Sequence, residues 1–220
     1  MGSSGAYTAD RAAALSGVPK STLHWWAREG VLVPSVSATK QRLWSFADLM
    51  ALRTIYWLRR RKLHDSGVDI PATSMPAVRA ALANLAELEL PLWKDGRPSV
   101  LVDAAGNIHL TTPHGLVTPE GQVELDLLDL IAPFETLEGA RGPDLYQPRP
   151  ELRIVPGKLS GSPHIAETRV ETRALAALAE DGYSLEDIAK LYPYLALAQI
   201  QQALELEQQL AQNLSVPAAA

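Results

Sequence analysis

Gly17, Pro19 and Gly30 cut the first thirty residues into two short segments, and this punctuation constrains the fold more than any other feature of the chain. A glycine ends a helix through a left-handed turn, and a proline suits a first helical position. Thr8 therefore caps one short helix, Ala9 to Leu15, with Ala12, Ala13 and Leu15 as its small apolar side. Pro19 begins a second helix that runs to about Glu29 and stops at Gly30. Neighbouring side chains on a helix point about 100° apart, so Trp25 and Trp26 cannot face one core. Leu23, Trp26 and Ala27 form an apolar stripe, while Ser21, His24, Trp25 and Arg28 form a polar face that still holds a tryptophan. A short helix, a glycine turn and a second helix with such a face match the helix-turn-helix arrangement, whose second helix fits the DNA major groove.

The next segment, LVPSVSATKQRLWSF, reads as two short extended pieces joined by a polar tip, Ser37 to Arg42. Lys40, Gln41 and Arg42 on that tip are placed to reach backbone phosphates as a wing. Ser45 caps a third helix starting at Phe46, with Asp48 as its capping-box partner. That helix is apolar nearly all round (Phe46, Leu49, Met50, Leu52, Ile55, Tyr56, Trp57, Leu58), which predicts burial on more than one side. Charge follows the same division. Residues 1–63 hold ten Lys/Arg against three acids, a net +7, and the remainder carries −12. A basic first quarter on an acidic body points to a polyanion-binding module joined to a part with another task. The run Arg59 to Lys62 by itself reads as a solvated helix end.

Residues 65–150 carry five basic against thirteen acidic side chains. SMPAVRAALANLAEL predicts a helix with Val78, Leu82 and Leu85 on one side, and SVLVDAAGNIHL a hairpin turning at Gly106 and Asn107. GQVELDLLDLI predicts a strand running into a helix, and the Gly/Pro-rich EGARGPDLYQPRPE (138–151) a linker. After a strand-like LRIVP and a loop, three helical patterns follow. They lie at 171–181 (Leu175, Leu178), 184–191 (Leu185, Ile188, Leu191) and 196–211 (Leu197, Ile200, Leu204), with Gly182, Ser184 and Pro193 as punctuation. The expected fold is mainly α with a small β component (α+β). It comprises a winged helix-turn-helix at 6–63, an acidic β-containing middle region and linker at 64–150, and a helix-turn-helix-like three-helix bundle at 151–212. The opening MGSSG reads as an expression-tag remnant and the AAA end as frayed.

The residues YTADRAAALSGVPKSTLHWWAREGVL and QRLWSFADLMALR resemble the MerR-type winged helix-turn-helix over about 6–62. That family shows T-x-x-x-A-x-x-x-G-V, then S-x-T-L-R-Y-W/Y-E-R-x-G-L, then R-x-Y-S-x-x-D-L. The resemblance implies that Thr22 contacts phosphate, that Trp25 stands where the family has a DNA-facing tyrosine, and that Arg42 is the wing arginine. The DNA-binding set is then Lys20, Ser21, Thr22, His24, Trp25, Arg28, Lys40 and Arg42. The chain departs from the family at His24, where an arginine is usual, and a neutral imidazole is the weaker reader.

Residues 153–206, with GSPHIAETRVETRAL and DGYSLEDIAKLYPYLALAQIQQAL, resemble the domain of unknown function 433 family. Its pattern is G-x-P-x-I-x-G-T-R-(I/V)-x-(T/V), then G-Y-S-x-E-D-I and Y-P-x-L-(T)-x-x-Q-I-x-x-A-L. The family's glycine before Thr-Arg is Glu167 here. Its members are often antitoxins encoded beside a PIN-like ribonuclease, so the resemblance implies a VapB-like antitoxin facing a VapC-like toxin. Such nucleases hold divalent metal with carboxylates, which a guanidinium can pair bidentately. Arg169 and Arg173 are the candidate toxin-binding residues. The alternative for Arg169 is structural, hydrogen-bonding to its own loop's carbonyls.

No catalytic, metal or cofactor pattern is present. His24, His64, His109, His114 and His164 fit no metal spacing, and there is no P-loop, GxGxxG or GxSxG. The absence of cysteine excludes disulfides and thiolate ligands. No membrane span or signal peptide is read, so the expected location is the bacterial cytoplasm. The expected function is an antitoxin and transcriptional autoregulator of a toxin–antitoxin module. It would act as a homodimer on double-stranded operator DNA and neutralise a PIN-like ribonuclease toxin. The last helix, with Ile200 and Leu204, is a candidate dimer surface. The alternatives are a MerR-like regulator that senses a small ligand without a toxin partner, and an interaction protein whose helix-turn-helix has lost DNA binding.

Overall fold

The structure is a computed structural model that describes residues 5–63, 69–87, 93–94, 97–98, 100–103, 105, 107–112, 115–117, 125–127, 133–135 and 139–216. His64, His114, Gly106 and the helical continuation of the acidic stretch lie outside them. The helices are α1 (Ala9–Ser16), α2 (Lys20–Arg28), α3 (Phe46–Leu58), α4 (Met75–Glu87), α5 (Thr172–Glu180), α6 (Leu185–Leu191) and α7 (Leu197–Ser215). The strands are β1 (Lys62–Leu63), β2 (Asp69–Ile70), β3 (Trp93–Lys94), β4 (Arg97–Pro98), β5 (Val100–Asp103) and β6 (Ile108–Thr112), followed by β7 (Gly115–Val117), β8 (Leu125–Leu127), β9 (Phe134–Glu135), β10 (Arg141–Gly142), β11 (Leu152–Arg153) and β12 (His164–Ile165). The fold is mostly helical with small sheets, as expected. It divides into two compact units, Met1–Leu49 with Ile131–Ala220, and Met50–Leu130.

In the first unit the caps act as the sequence predicts. Thr8 accepts a hydrogen bond from the Arg11 amide, and Gly17 closes α1 with φ +76°. Pro19 sits one position earlier than expected, as the N-cap of α2 in an extended conformation. The Ser45 hydroxyl accepts from the Asp48 amide at 3.2 Å, and the Asp48 carboxylate accepts from the Ser45 amide at 2.8 Å, a reciprocal capping box. The wing is held by two isolated bridges, Tyr7 with Trp44 and Ser37 with Leu43. Around α3 almost every side chain from Phe46 to Leu58 is buried, matching its unbroken apolar surface.

The C-terminal bundle is built onto the helix-turn-helix. Arg11 of α1 makes a bidentate pair with Glu207 of α7 at 2.6 and 2.7 Å, and the Thr172 hydroxyl of α5 donates to the same carboxylate. The Asn213 amide donates to the Ala14 carbonyl at 2.8 Å and the Arg141 carbonyl at 2.9 Å, and accepts from the Arg141 amide at 2.8 Å. It thereby satisfies a carbonyl in the last turn of α1, where helical partners run out. The Tyr7 hydroxyl donates to the Gly161 carbonyl at 3.0 Å. Burial pushes that phenol's pKa well above its usual value, although Arg11 pulls the other way.

Several expectations change here. Within the stretch 138–151, expected as a linker, the described residues 139–151 are packed: Ala140 and Leu145 are buried, and β10 pairs with β9. Asp144 turns the chain by accepting from the Tyr146 and Gln147 amides. Gly5, set aside with the opening residues, is buried against the Tyr7 ring. The inner stripe of α7 is Ile200, Ala203, Leu206, Leu210 and Asn213, whereas Leu197 is 50% exposed and Leu204 half-buried. Leu191 of α6 is also exposed. Two leucine stripes compete on α7, and the one that meets α1 and α5 wins. Ile200 is consumed inside this unit, so the expected dimer surface loses its main apolar residue.

The second unit contains α4 and a four-stranded antiparallel sheet in the order β7-β6-β5-β8. Val78 and Ala81 give α4 its buried side, with Leu82 half-buried. The β5–β6 hairpin forms as predicted, organised by Asp103. Its carboxylate accepts from the Ala105 and Asn107 amides, the Asn107 side chain and His109 Nε2, all within 2.9 Å. Burial alone would raise the Asp103 pKa, but these hydrogen bonds outweigh it and hold it at about 2.

The Tyr7 lock yields a test. Gly161 has φ +82°, and a Cβ there would lie 2.0 Å from the Tyr7 hydroxyl oxygen. Gly161→Ala should destabilise the protein by roughly 2 kcal/mol or more, and Gly157→Ala, in open space, by less than about 1 kcal/mol. Paired thermal melts check this.

Candidate nucleic-acid interface

The split between the two tryptophans holds in three dimensions. Leu23 and Trp26 are buried with 1% and 4% of their surface exposed, whereas Trp25 is 43% exposed. Ala27 is half-buried, and Ser21 and Arg28 are open to solvent. The helix therefore buries one stripe and presents Ser21, Trp25 and Arg28 outward, with half-buried Thr22 and His24 beside them. Lys20, at its first turn, pairs with Asp10 of α1 at 2.5 Å, both side chains about half exposed. Such a surface pair contributes little and exchanges readily for a phosphate partner.

The wing brings its arginine to this helix. Arg42 Nη1 lies 3.2 Å from His24 Nδ1 and 3.5 Å from the His24 carbonyl oxygen. The His24 ring also meets Trp44 edge-on, with centroids 6.1 Å apart and planes at 70°. Trp44 is fully buried and anchored by its bridge to Tyr7. Burial, the Arg42 and Lys20 charges and, more weakly, Arg28 hold the His24 pKa below its usual value, against the opposing pull of Asp10. Lys40 stands exposed at the wing tip. The structure thus gathers Lys20, Ser21, Thr22, His24, Trp25 and Arg28 on one helix and sets Arg42 against it. The contact between Arg42 and His24, eighteen residues apart, had no signal in the helical wheel.

Arg169 and Arg173 lie elsewhere, around the loop before α5. The loop ties itself with threonines: the Thr168 hydroxyl donates to the Ile165 carbonyl at 3.0 Å and the Thr172 amide to the Pro163 carbonyl at 3.0 Å. His164, buried and depressed in pKa chiefly by that burial, places Nδ1 3.0 Å from the Ser162 carbonyl. Arg169 is exposed and, among the described residues, makes no hydrogen bond to these carbonyls. Glu167 adopts φ +57°, so the left-handed turn is made without glycine, at a cost of about 1–2 kcal/mol. Arg173 borders an open cleft of about 760 Å³ with Thr8, Gln41, Ala176, Gln208 and Leu214.

The geometry defines a winged helix-turn-helix docked on a helical bundle. Residues 7–69 match the family model described as MerR HTH family regulatory protein, and residues 153–206 match the one described as Protein of unknown function (DUF433). The chain carries a MerR-type helix-turn-helix near its N-terminus and a DUF433 domain toward its C-terminus. No curated protein and no solved structure matches it. The N-terminal match points to DNA-binding transcriptional regulation and away from enzymatic activity. Among the described residues, no helix is long and apolar enough to cross a membrane.

The tryptophan division has a direct readout. Trp26→Ala should cost about 3–5 kcal/mol, while Trp25→Ala should change stability by less than about 1 kcal/mol and weaken only DNA retention. Chemical denaturation beside a DNA-retention assay separates the two.

Proposed function

We propose that this protein is a transcriptional regulator that binds operator DNA through α2 and the wing and carries a partner-binding C-terminal domain. One observation carries the reading: α2 buries Leu23 and Trp26 while keeping Ser21, Trp25 and Arg28 outward beside the wing's Arg42. A helix with that division, next to a basic tip, supplies base-edge and phosphate contacts from one face. Lys20, Thr22 and Lys40 add phosphate contacts, and His24 lies between helix and wing. A homodimer would place two such faces on a two-fold site. Substituting Arg28→Ala with Arg42→Ala should weaken retention of a promoter fragment and reduce the slope of binding against salt by about two phosphate equivalents. Unchanged retention and slope reject these contacts.

For the C-terminal domain we propose toxin neutralisation, with Arg169 and Arg173 entering the carboxylate cluster of a PIN-like ribonuclease. The support is the resemblance to antitoxin-type domains and the exposure of both guanidiniums beside a loop whose own carbonyls are satisfied by threonines. The protein would then regulate its own operon, with toxin binding adding avidity at the operator. Co-expression with a neighbouring PIN-like nuclease should restore growth, and Arg169→Ala with Arg173→Ala should abolish both rescue and complex formation. Rescue by the doubly substituted chain assigns the contact elsewhere. The cleft beside Arg173 favours a second reading, a regulator sensing a small ligand, because α1 of the helix-turn-helix forms one wall of it. Stabilisation by a metabolite library in thermal melts, without a nuclease partner, would select that reading.

A further inference from the structure

His24 stands where an arginine would offer five donors, and its contact with the wing fixes what it offers instead. Arg42 Nη1 lies 3.2 Å from His24 Nδ1. A guanidinium has N–H groups and no lone pair to share, so this hydrogen bond has one sense. Arg42 donates and Nδ1 accepts. Nδ1 is then unprotonated, and the neutral imidazole carries its hydrogen on Nε2. The ring is seated as well as polarised, because buried Trp44 holds it edge-on.

We infer that Arg42 and His24 form one recognition unit, in which the wing arginine sets the imidazole tautomer so that α2 presents a single neutral Nε2–H donor to an acceptor on a DNA base edge. This rests on the reading of α2 as the DNA-facing helix. The major groove supplies the matching chemistry: guanine N7 and O6, adenine N7 and thymine O4 are acceptors, whereas the cytosine and adenine amino groups are donors. A lone donor favours one acceptor and lacks the bidentate grip of arginine on guanine. Burial, and then the surrounding charges, keep the ring neutral. Lys20 and Arg28 on the same helix and Arg42 on the wing all oppose an imidazolium, and only Asp10 of α1 favours it. His24 thus contributes direction without adding charge, and part of the effect of Arg42 on DNA reading passes through it.

The test has two arms on the full chain. In the first, long-range proton–nitrogen correlation spectra of the free protein near neutral pH report the His24 tautomer. The Nε2–H form is expected, changing to a tautomer mixture in Arg42→Met. An Nδ1–H tautomer or an imidazolium in the unsubstituted protein overturns the inference. In the second, a duplex carrying the region upstream of the protein's own gene is titrated with His24→Ala, Arg42→Ala and the double variant. If each single substitution weakens binding about tenfold, coupling predicts a loss well short of a hundredfold for the pair. His24→Asn, which keeps an acceptor toward Arg42 and an N–H donor, should stay within about threefold of the unsubstituted chain. Multiplicative losses without rescue by asparagine overturn the recognition unit while leaving α2 as the reader. Failure of the unsubstituted chain to bind either this duplex or a random-sequence duplex rejects the DNA reading itself, and the inference with it.

Discussion

The architecture of the first unit depends on the bidentate pair between Arg11 of α1 and Glu207 of α7. Two parallel charge-assisted hydrogen bonds fix orientation as well as distance. The carboxylate also accepts from Thr172 of α5, so one side chain joins three helices. Removing either partner would leave a charge in a site where water is scarce, which is far costlier than the net worth of the pair. Asn213 and Tyr7 close the same junction by satisfying backbone carbonyls at Ala14 and Gly161. The helix-turn-helix and the C-terminal bundle are therefore held in one geometry within this unit by a connected hydrogen-bond network.

That junction changes how the two sequence modules relate. Read along the chain, the DNA-binding and C-terminal segments are far apart, separated by an acidic region. In the folded unit, α1 carries the helix-turn-helix on one side and meets α7 on the other. A ligand or partner that bears on α5 or α7 acts on a surface shared with α1. It can favour one arrangement of the DNA-reading face only to the extent that it distinguishes two arrangements energetically. The cleft bordered by α1, α5, α7 and the wing residue Gln41 is where such a difference would arise.

The interface itself is built from partners chosen at two ranges. Trp25 and Trp26 are sorted by helical geometry, which any amphipathic helix imposes. His24 is defined by Arg42 and Trp44, which reach it only because the bridges of the wing return the chain to α2. The C-terminal loop shows the same contrast. Glu167 keeps a left-handed backbone without glycine because Thr168 and Thr172 tie the turn on either side. This leaves Arg169 pointing to solvent rather than serving its own loop.

The sequence by itself determined where α1 and α3 begin, the caps at Thr8, Ser45 and Ser184, the stops at Gly17 and Gly30, and the outward turn of Trp25. Each of these depends on residues within about one or two helical turns, where backbone geometry alone fixes who can meet whom. The tertiary structure alone decided that Ile200 and Leu206 face the core while Leu197 does not, and that residues 139–151 pack rather than hang free. It also decided that Arg11 finds Glu207 and that Arg42 finds His24. Periodicity specifies that a face is apolar or charged, but the identity of the opposing face depends on contacts between residues remote in sequence. A lone arginine in α1 and one of the two glutamates of α7 carry no mark of each other until the chain has folded.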